Sequence, residues 1–237
     1  MSVANTMHSA GQKSAALDIL IVFIVSAIAF AGELAIADFV PWGEETRGVM
    51  AVFAGAAAAL WLTRKRGRTL AELGFRRPER WLTVPFWAIG IFAAFVIAQI
   101  FAPVLVSPFF ELPAPDLSRY DVIRGNLPMA IAAALLLPLT ASIPEEIIYR
   151  GFLIERLTAV FAKSNHATLF AVLVQSLIFG SIHFQWGVGG IIVTAIMGLV
   201  WGTAFVLCGR NLWIVIIAHS TGHVAMVTQL YYSAPPA

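Results

Sequence analysis

Charged residues are scarce in this chain of 237 residues, since Asp, Glu, Lys and Arg together make up only 12% of it. Soluble globular domains carry about a quarter charged residues. Hydrophobic residues make up 59% of the sequence, so the composition excludes an ordinary soluble domain and indicates an integral, multi-pass membrane protein. The formal net charge of +2 is too small to indicate nucleic-acid binding, and we expect no nucleic-acid partner.

Cysteine is nearly absent as well, because Cys208 is the only one. A single cysteine excludes an internal disulfide and any metal site built from several cysteines. No internal repeat is visible in the sequence. This counts against a membrane carrier, because many carriers are built from repeated halves.

Long apolar runs alternate with short polar stretches along the whole chain. We predict an all-α fold, a polytopic transmembrane bundle of about seven to eight helices. The predicted parts are a cytoplasmic tail, N-terminal transmembrane helices with their loops, a second helical core and a C-terminal tail, with boundaries 1–14, 15–126, 127–231 and 232–237. The predicted spans are 16–37, 48–62, 81–106, a helix from 127 to 161, 167–183, 188–207 and 212–231.

Basic residues concentrate in one short loop after the second predicted span. Loops rich in Lys and Arg stay on the cytoplasmic side of a membrane. We therefore predict a protein of the cell's inner or plasma membrane with a cytoplasmic N-terminus and an external C-terminus. A phosphate- or nucleic-acid-binding patch is the alternative interpretation of the same run. The basic residues of the loop are Arg64, Lys65, Arg66, Arg68, Arg76, Arg77 and Arg80.

Three charges fall within six positions of an otherwise apolar stretch, SIPEEIIYRGF, which begins at Ser142. A charge at the centre of a membrane helix costs roughly 2.5–3.5 kcal/mol, so such residues are usually paired and functional. Glu146 and Arg150 are four positions apart, which favours an ion pair on one helix face. Glu145 lies about 100° away around the helix and has no such partner, and an unpaired carboxylate of this kind is suited to general acid–base chemistry.

Three histidines in later spans can join these carboxylates. Glu145 and His183 each lie 19 positions from Ser164, the centre of the turn between the fourth and fifth spans. Two antiparallel helices therefore bring them to one depth. His219 and His223 are four positions apart on one helix face. A lone membrane histidine is more often a packing residue, but three histidines beside two glutamates indicate one polar site.

These segments resemble three motifs of a known family. EEIIYR, FGSIH and HSTGH, which begin at Glu145, Phe179 and His219, resemble EExxxR, FxxxH and HxxxN/D. The three motifs are typical of the CAAX-protease and bacteriocin-processing family (CPBP, or Abi) of intramembrane endopeptidases. The resemblance covers roughly residues 127–230. His223 departs from it, because the family pattern has Asn or Asp at that position.

The resemblance implies an endopeptidase that hydrolyses a peptide bond in a membrane-anchored or lipidated protein or peptide, within or beside the lipid bilayer. It implies that Glu145 activates the attacking water and that His183 helps to hold this water. It further implies that Glu146 and Arg150 fix the helix and its charges.

By the same resemblance, His219 and His223 would stabilise the oxyanion of the tetrahedral intermediate. Two histidines at this spacing can also bind zinc, so we keep a zinc-dependent protease as an alternative, although we expect no cofactor. A non-catalytic scaffold, immunity protein or carrier is the alternative from another class. The ligands of the zinc alternative would be Glu145, His183, His219 and His223.

The predicted topology can be tested with reporter fusions. Fusions at Arg66, Ser164 and Arg210 should report a cytoplasmic location, because the basic loop orients the chain. Fusions at Asp116 and Ala237 should report an external location. An external reporter at Arg66 would overturn the whole assignment.

Overall fold

The structure, a computed structural model, describes residues 3–39, 46–106 and 112–233. All regular secondary structure in these ranges is helical, which confirms the predicted all-α bundle. Short 3₁₀ turns lie at Ala37–Phe39, Ser118–Ile123 and Phe184–Trp186. The helices are α1 (Val3–Ile36), α2 (Val49–Lys65), α3 (Leu70–Leu73), α4 (Thr83–Val106), α5 (Leu127–Val160), α6 (Ala167–Ser181), α7 (Gly187–Leu207) and α8 (Leu212–Tyr232).

Five of these helices, α1, α4, α5, α7 and α8, are long and apolar enough to cross a membrane. The other two predicted spans are shorter, with 17 residues in α2 and 15 in α6. At 1.5 Å per residue, α6 is about 22 Å long, less than the ~30 Å of the hydrocarbon core. The described ranges thus contain five helices of spanning length, where seven spans are predicted. Helix α6 ends at Ser181, and His183 lies in the turn that follows.

The polar N-terminal segment, for which we predict a tail over 1–14, is helical from Val3 onward. Residues 3–14 contain one glycine and no proline, so little in this stretch breaks a helix. The amide of Gln12 donates to the Val160 carbonyl at 2.9 Å, and this bond ties the start of α1 to the end of α5.

Helix α5 is interrupted by two π-helical segments, Pro138–Ser142 and Ile147–Leu153. Proline lacks a backbone N–H, so Pro138 and Pro144 each leave a preceding carbonyl without its helical donor. π-Helical turns widen a helix and are frequent at functional sites. The single α-helical turn between the two segments, Ile143–Glu146, carries both adjacent glutamates.

One end of the bundle collects most basic residues, and we call it the basic end. It comprises the start of α1, the 64–80 loop and the turns 161–166 and 208–211. Asp18 of α1 is fully buried and binds Arg66 at 2.6 Å and Arg156 of α5 at 3.5 Å. Arg68 pairs with Glu155 of α5. These ion pairs join the loop to both helices.

The 64–80 loop has its own local structure, which begins with the short helix α3. Thr69 and Glu72 form a capping box, and the backbone and side-chain hydrogen bonds from Thr69 hold the pKa of the Glu72 carboxyl below its usual value. Gly74 follows with a φ of +117°, and a Cβ there would lie 2.9 Å from the Arg210 carbonyl. The Gly74 carbonyl accepts from the Leu212 N–H at 2.9 Å, so only glycine fits this junction without strain.

Candidate active site

A cavity of about 720 Å³ lies inside the bundle, between α1, α2, α4, α5, α7 and α8. Four of the six predicted site residues line it, namely Glu145, His183, His219 and His223. Most of the remaining wall is apolar. It includes Phe23, Phe30, Phe92, Phe95, Val96, Ile100 and Met226.

Glu146 lies behind the cavity wall and connects two helices. Its Oε1 accepts hydrogen bonds from Arg150 Nη1 at 2.9 Å and from His219 Nδ1 at 2.8 Å. The first bond confirms the predicted pair within α5, and the second joins α5 to α8. All three side chains are buried, with exposed fractions of 0%, 0% and 2%.

Phe179 packs at the centre of this cluster, although sequence reasoning used it only as part of a motif. The Arg150 guanidinium lies 4.4 Å from the centre of its ring, at a distance typical of a cation–π contact. The same ring packs against Tyr149 and His183, with centroid distances of 5.0 and 4.9 Å. Phe179 is fully buried. The available signal was its position four residues before His183, a spacing of about one helical turn.

His183 has a defined tautomer because of its contact with Phe179. Its Nδ1 lies 2.7 Å from the Phe179 carbonyl oxygen. A carbonyl only accepts, so Nδ1 carries the hydrogen, and in the neutral ring Nε2 presents a lone pair. His183 lines the cavity, as do His219 and His223.

His219 is oriented in a similar way by Glu146. Because a carboxylate only accepts, His219 Nδ1 carries the hydrogen of the 2.8 Å bond. The opposite ring atom, Nε2, lies 3.9 Å from Glu145 Oε2. This distance is too long for a hydrogen bond, and one water on the cavity side can reach both atoms at ordinary hydrogen-bond distance. Glu145, which had no partner by sequence spacing, thus faces His219 at a distance that one water on the cavity side can bridge.

His223 is held by a residue that sequence reasoning missed. Its Nδ1 lies 2.9 Å from the hydroxyl oxygen of Ser142, which is fully buried in the first π-helical segment of α5. The rings of His219 and His223 lie 4.7 Å apart. Ser142 precedes Glu145 by three positions, a spacing that puts both on one side of a helix, but nothing in the sequence pairs it with α8.

In the part of the chain that the structure describes, the candidate side chains are not placed to bind a metal ion together. No three His, Cys, Asp or Glu side chains in these ranges are arranged to hold a metal ion. The Nδ1 atoms of the three histidines contact Phe179, Glu146 and Ser142 instead. Zinc dependence stays the alternative to the expected metal-free enzyme, and metal analysis tests it.

Fold and site together define a polytopic membrane protein with a buried carboxylate–histidine cluster. Residues 127–225 match the family model described as "Type II CAAX prenyl endopeptidase Rce1-like". The match covers less than half of the chain, contains all three motif segments and confirms the predicted relationship to the CAAX-protease family. It supports a membrane endopeptidase of the CAAX type. No curated protein and no solved structure matches the chain.

The Glu146 cluster predicts a specific stability effect. Glu146→Gln should destabilise the protein by about 3–5 kcal/mol, because it leaves the Arg150 charge buried without its anion. Thermal unfolding in detergent measures the change. Asp121→Asn is the matched control, since it breaks a partly exposed pair with Arg124 and should cost at most about 1 kcal/mol. Equal shifts in the two variants would contradict a structural role for Glu146.

Proposed function

We propose that this protein hydrolyses a peptide bond in a membrane-anchored or lipidated protein or peptide, with Glu145 as the general base. The observation that carries the proposal is the convergence of Glu145 and three histidines on one apolar-walled cavity, within the segment that matches a CAAX endopeptidase family. Such a cavity accepts apolar residues or a lipid chain and places their peptide bond beside a base.

The attacking water lies between Glu145 and the histidines. Glu145 removes one proton from the water, and the lone pair on His183 Nε2 accepts the other hydrogen bond. The oxygen then attacks the peptide carbonyl carbon and forms a tetrahedral oxyanion. Glu145 passes its proton to the leaving nitrogen, the C–N bond breaks, and the products are a carboxylate and an amine.

His223 is the proposed oxyanion donor. When the Ser142 hydroxyl donates to His223 Nδ1, the hydrogen of the neutral ring is on Nε2, where it can donate into the cavity. His219 differs, because its Nδ1 hydrogen is engaged by Glu146. In the neutral ring, its Nε2 therefore carries a lone pair and accepts a hydrogen bond from the cavity side.

Glu145→Gln tests the general base directly. The substitution keeps the size of the side chain and removes the proton acceptor, so cleavage should fall by about 10²–10⁴. Mass spectrometry of a membrane-anchored reporter peptide measures the rate. Glu72→Gln, in the exposed capping box of the basic loop, is the control and should cleave at the wild-type rate. A Glu145→Gln variant that is folded and fully active would refute the mechanism.

Substitutions at position 223 separate an oxyanion donor from a zinc ligand. His223→Asn should retain most activity because an amide N–H can donate, whereas His223→Ala should lose a factor of about 10²–10³. If the residue binds zinc, both variants should instead lose metal and activity together. Metal content and cleavage rate, measured on the same preparations, distinguish these results.

Ser142 is proposed as a positioning residue for His223, and a double-mutant cycle tests it. Ser142→Ala should slow cleavage in the wild-type background, because the His223 ring loses the donor that sets its tautomer. The same substitution should have little further effect in a His223→Ala background, since coupled residues are not additive. Rate losses that simply multiply would show that Ser142 acts elsewhere.

A further inference from the structure

The cavity extends to one end of the bundle, where connecting segments form its mouth. Its lining includes Arg47 before α2, Arg119 before α5 and Trp186 before α7. These segments lie together: the Asp116 N–H donates to the Trp186 carbonyl at 3.0 Å, and Arg119 Nη2 donates to the Arg47 carbonyl at 3.2 Å. Gln185, also at the mouth, is partly exposed.

The mouth lies at the opposite end of the bundle from the basic end. Helix α2 begins at the mouth and ends in the basic loop, and α6 begins at the 161–166 turn and ends at the mouth. Toward the basic end, α5 continues from Tyr149, which lines the cavity, into the buried residues Phe152, Leu153 and Ile154, which do not line it.

The two ends of the bundle differ in their number of basic residues. Besides the loop arginines and Lys65, the basic end carries Lys13, Arg156, Lys163 and Arg210. The mouth end has only Arg47, Arg119 and Arg124 of the 15 basic residues. The positive-inside rule therefore predicts that the basic end faces the cytoplasm and the mouth faces away from it.

We infer that the site takes its substrate from the extracytoplasmic side, as an apolar segment of a membrane-anchored protein whose cleaved bond lies at the outer leaflet. The choice of substrate rests on the proposed endopeptidase function, whereas the direction of access does not. The apolar wall suits such a segment, since it can enter without exposing hydrocarbon to water. A cytosolic chain end would instead meet the closed basic end of the bundle.

Cysteine labelling in intact cells tests the direction of access without any need for activity. In a Cys208→Ser background, single cysteines are placed at the mouth (Gln185→Cys), on the cavity wall (Met226→Cys) and in the exposed turn at the basic end (Asn165→Cys). A membrane-impermeant maleimide should label the first two in intact cells and the third only after permeabilisation. Labelling of Asn165→Cys in intact cells, with the other two requiring permeabilisation, would overturn the inference.

A pair of reporter substrates tests on which side of the membrane the protein cleaves a peptide bond. Each carries the same cleavable apolar segment, placed either at the outer or at the inner leaflet. We expect wild-type protein to cleave only the outer reporter and Glu145→Gln to cleave neither. Cleavage of the inner reporter alone would overturn the inference. If labelling shows outward access but the wild type cleaves neither reporter, the proposed function fails and the direction of access stands.

Discussion

The buried interaction among Glu146, Arg150 and His219 is the constraint on which the rest of the site depends. Burying a carboxylate and a guanidinium is costly unless both are paired. Here one carboxylate oxygen accepts from both partners, at 2.9 and 2.8 Å, and thereby fixes α5 against α8. Because Glu146 takes both contacts, Glu145 is left facing the cavity with no direct hydrogen bond to His219. The two adjacent acids thus separate into a structural group and a group that is available for chemistry.

Helix geometry accounts for the position of the other groups. The π-helical segments on either side of Ile143–Glu146 place Ser142 against His223 on α8. Helix α6 ends two residues before His183, and its Phe179 carbonyl fixes the ring of that histidine. These departures from regular spanning helices all occur at the cavity, where irregular backbone can be tolerated because it is enclosed by protein.

Much of this could be predicted from the sequence, because charge in an apolar chain is rare and therefore informative. The Glu146–Arg150 pair followed from spacing alone, and the motifs around His183 and His219 led to the family. The contact of Ser142 with His223 could not be predicted, since it joins helices 81 positions apart and depends on the widened turn of α5. Nor does an apolar run of about 17 residues reveal whether its helix completes a membrane crossing, because the point where the helix ends is set by packing and turns.

Glu145 could act on a peptide bond in two ways, by activating water, as proposed, or by attacking the carbonyl carbon itself. Cleavage of a membrane-anchored reporter in the presence of hydroxylamine distinguishes these two mechanisms, because hydroxylamine intercepts a covalent acyl-enzyme. If Glu145 activates water, the N-terminal product carries only a carboxylate at its new end, and in ¹⁸O-water this carboxylate gains one heavy oxygen. A product that carries a hydroxamate would rule out water activation by Glu145, because it requires an acyl group bound to the protein during turnover.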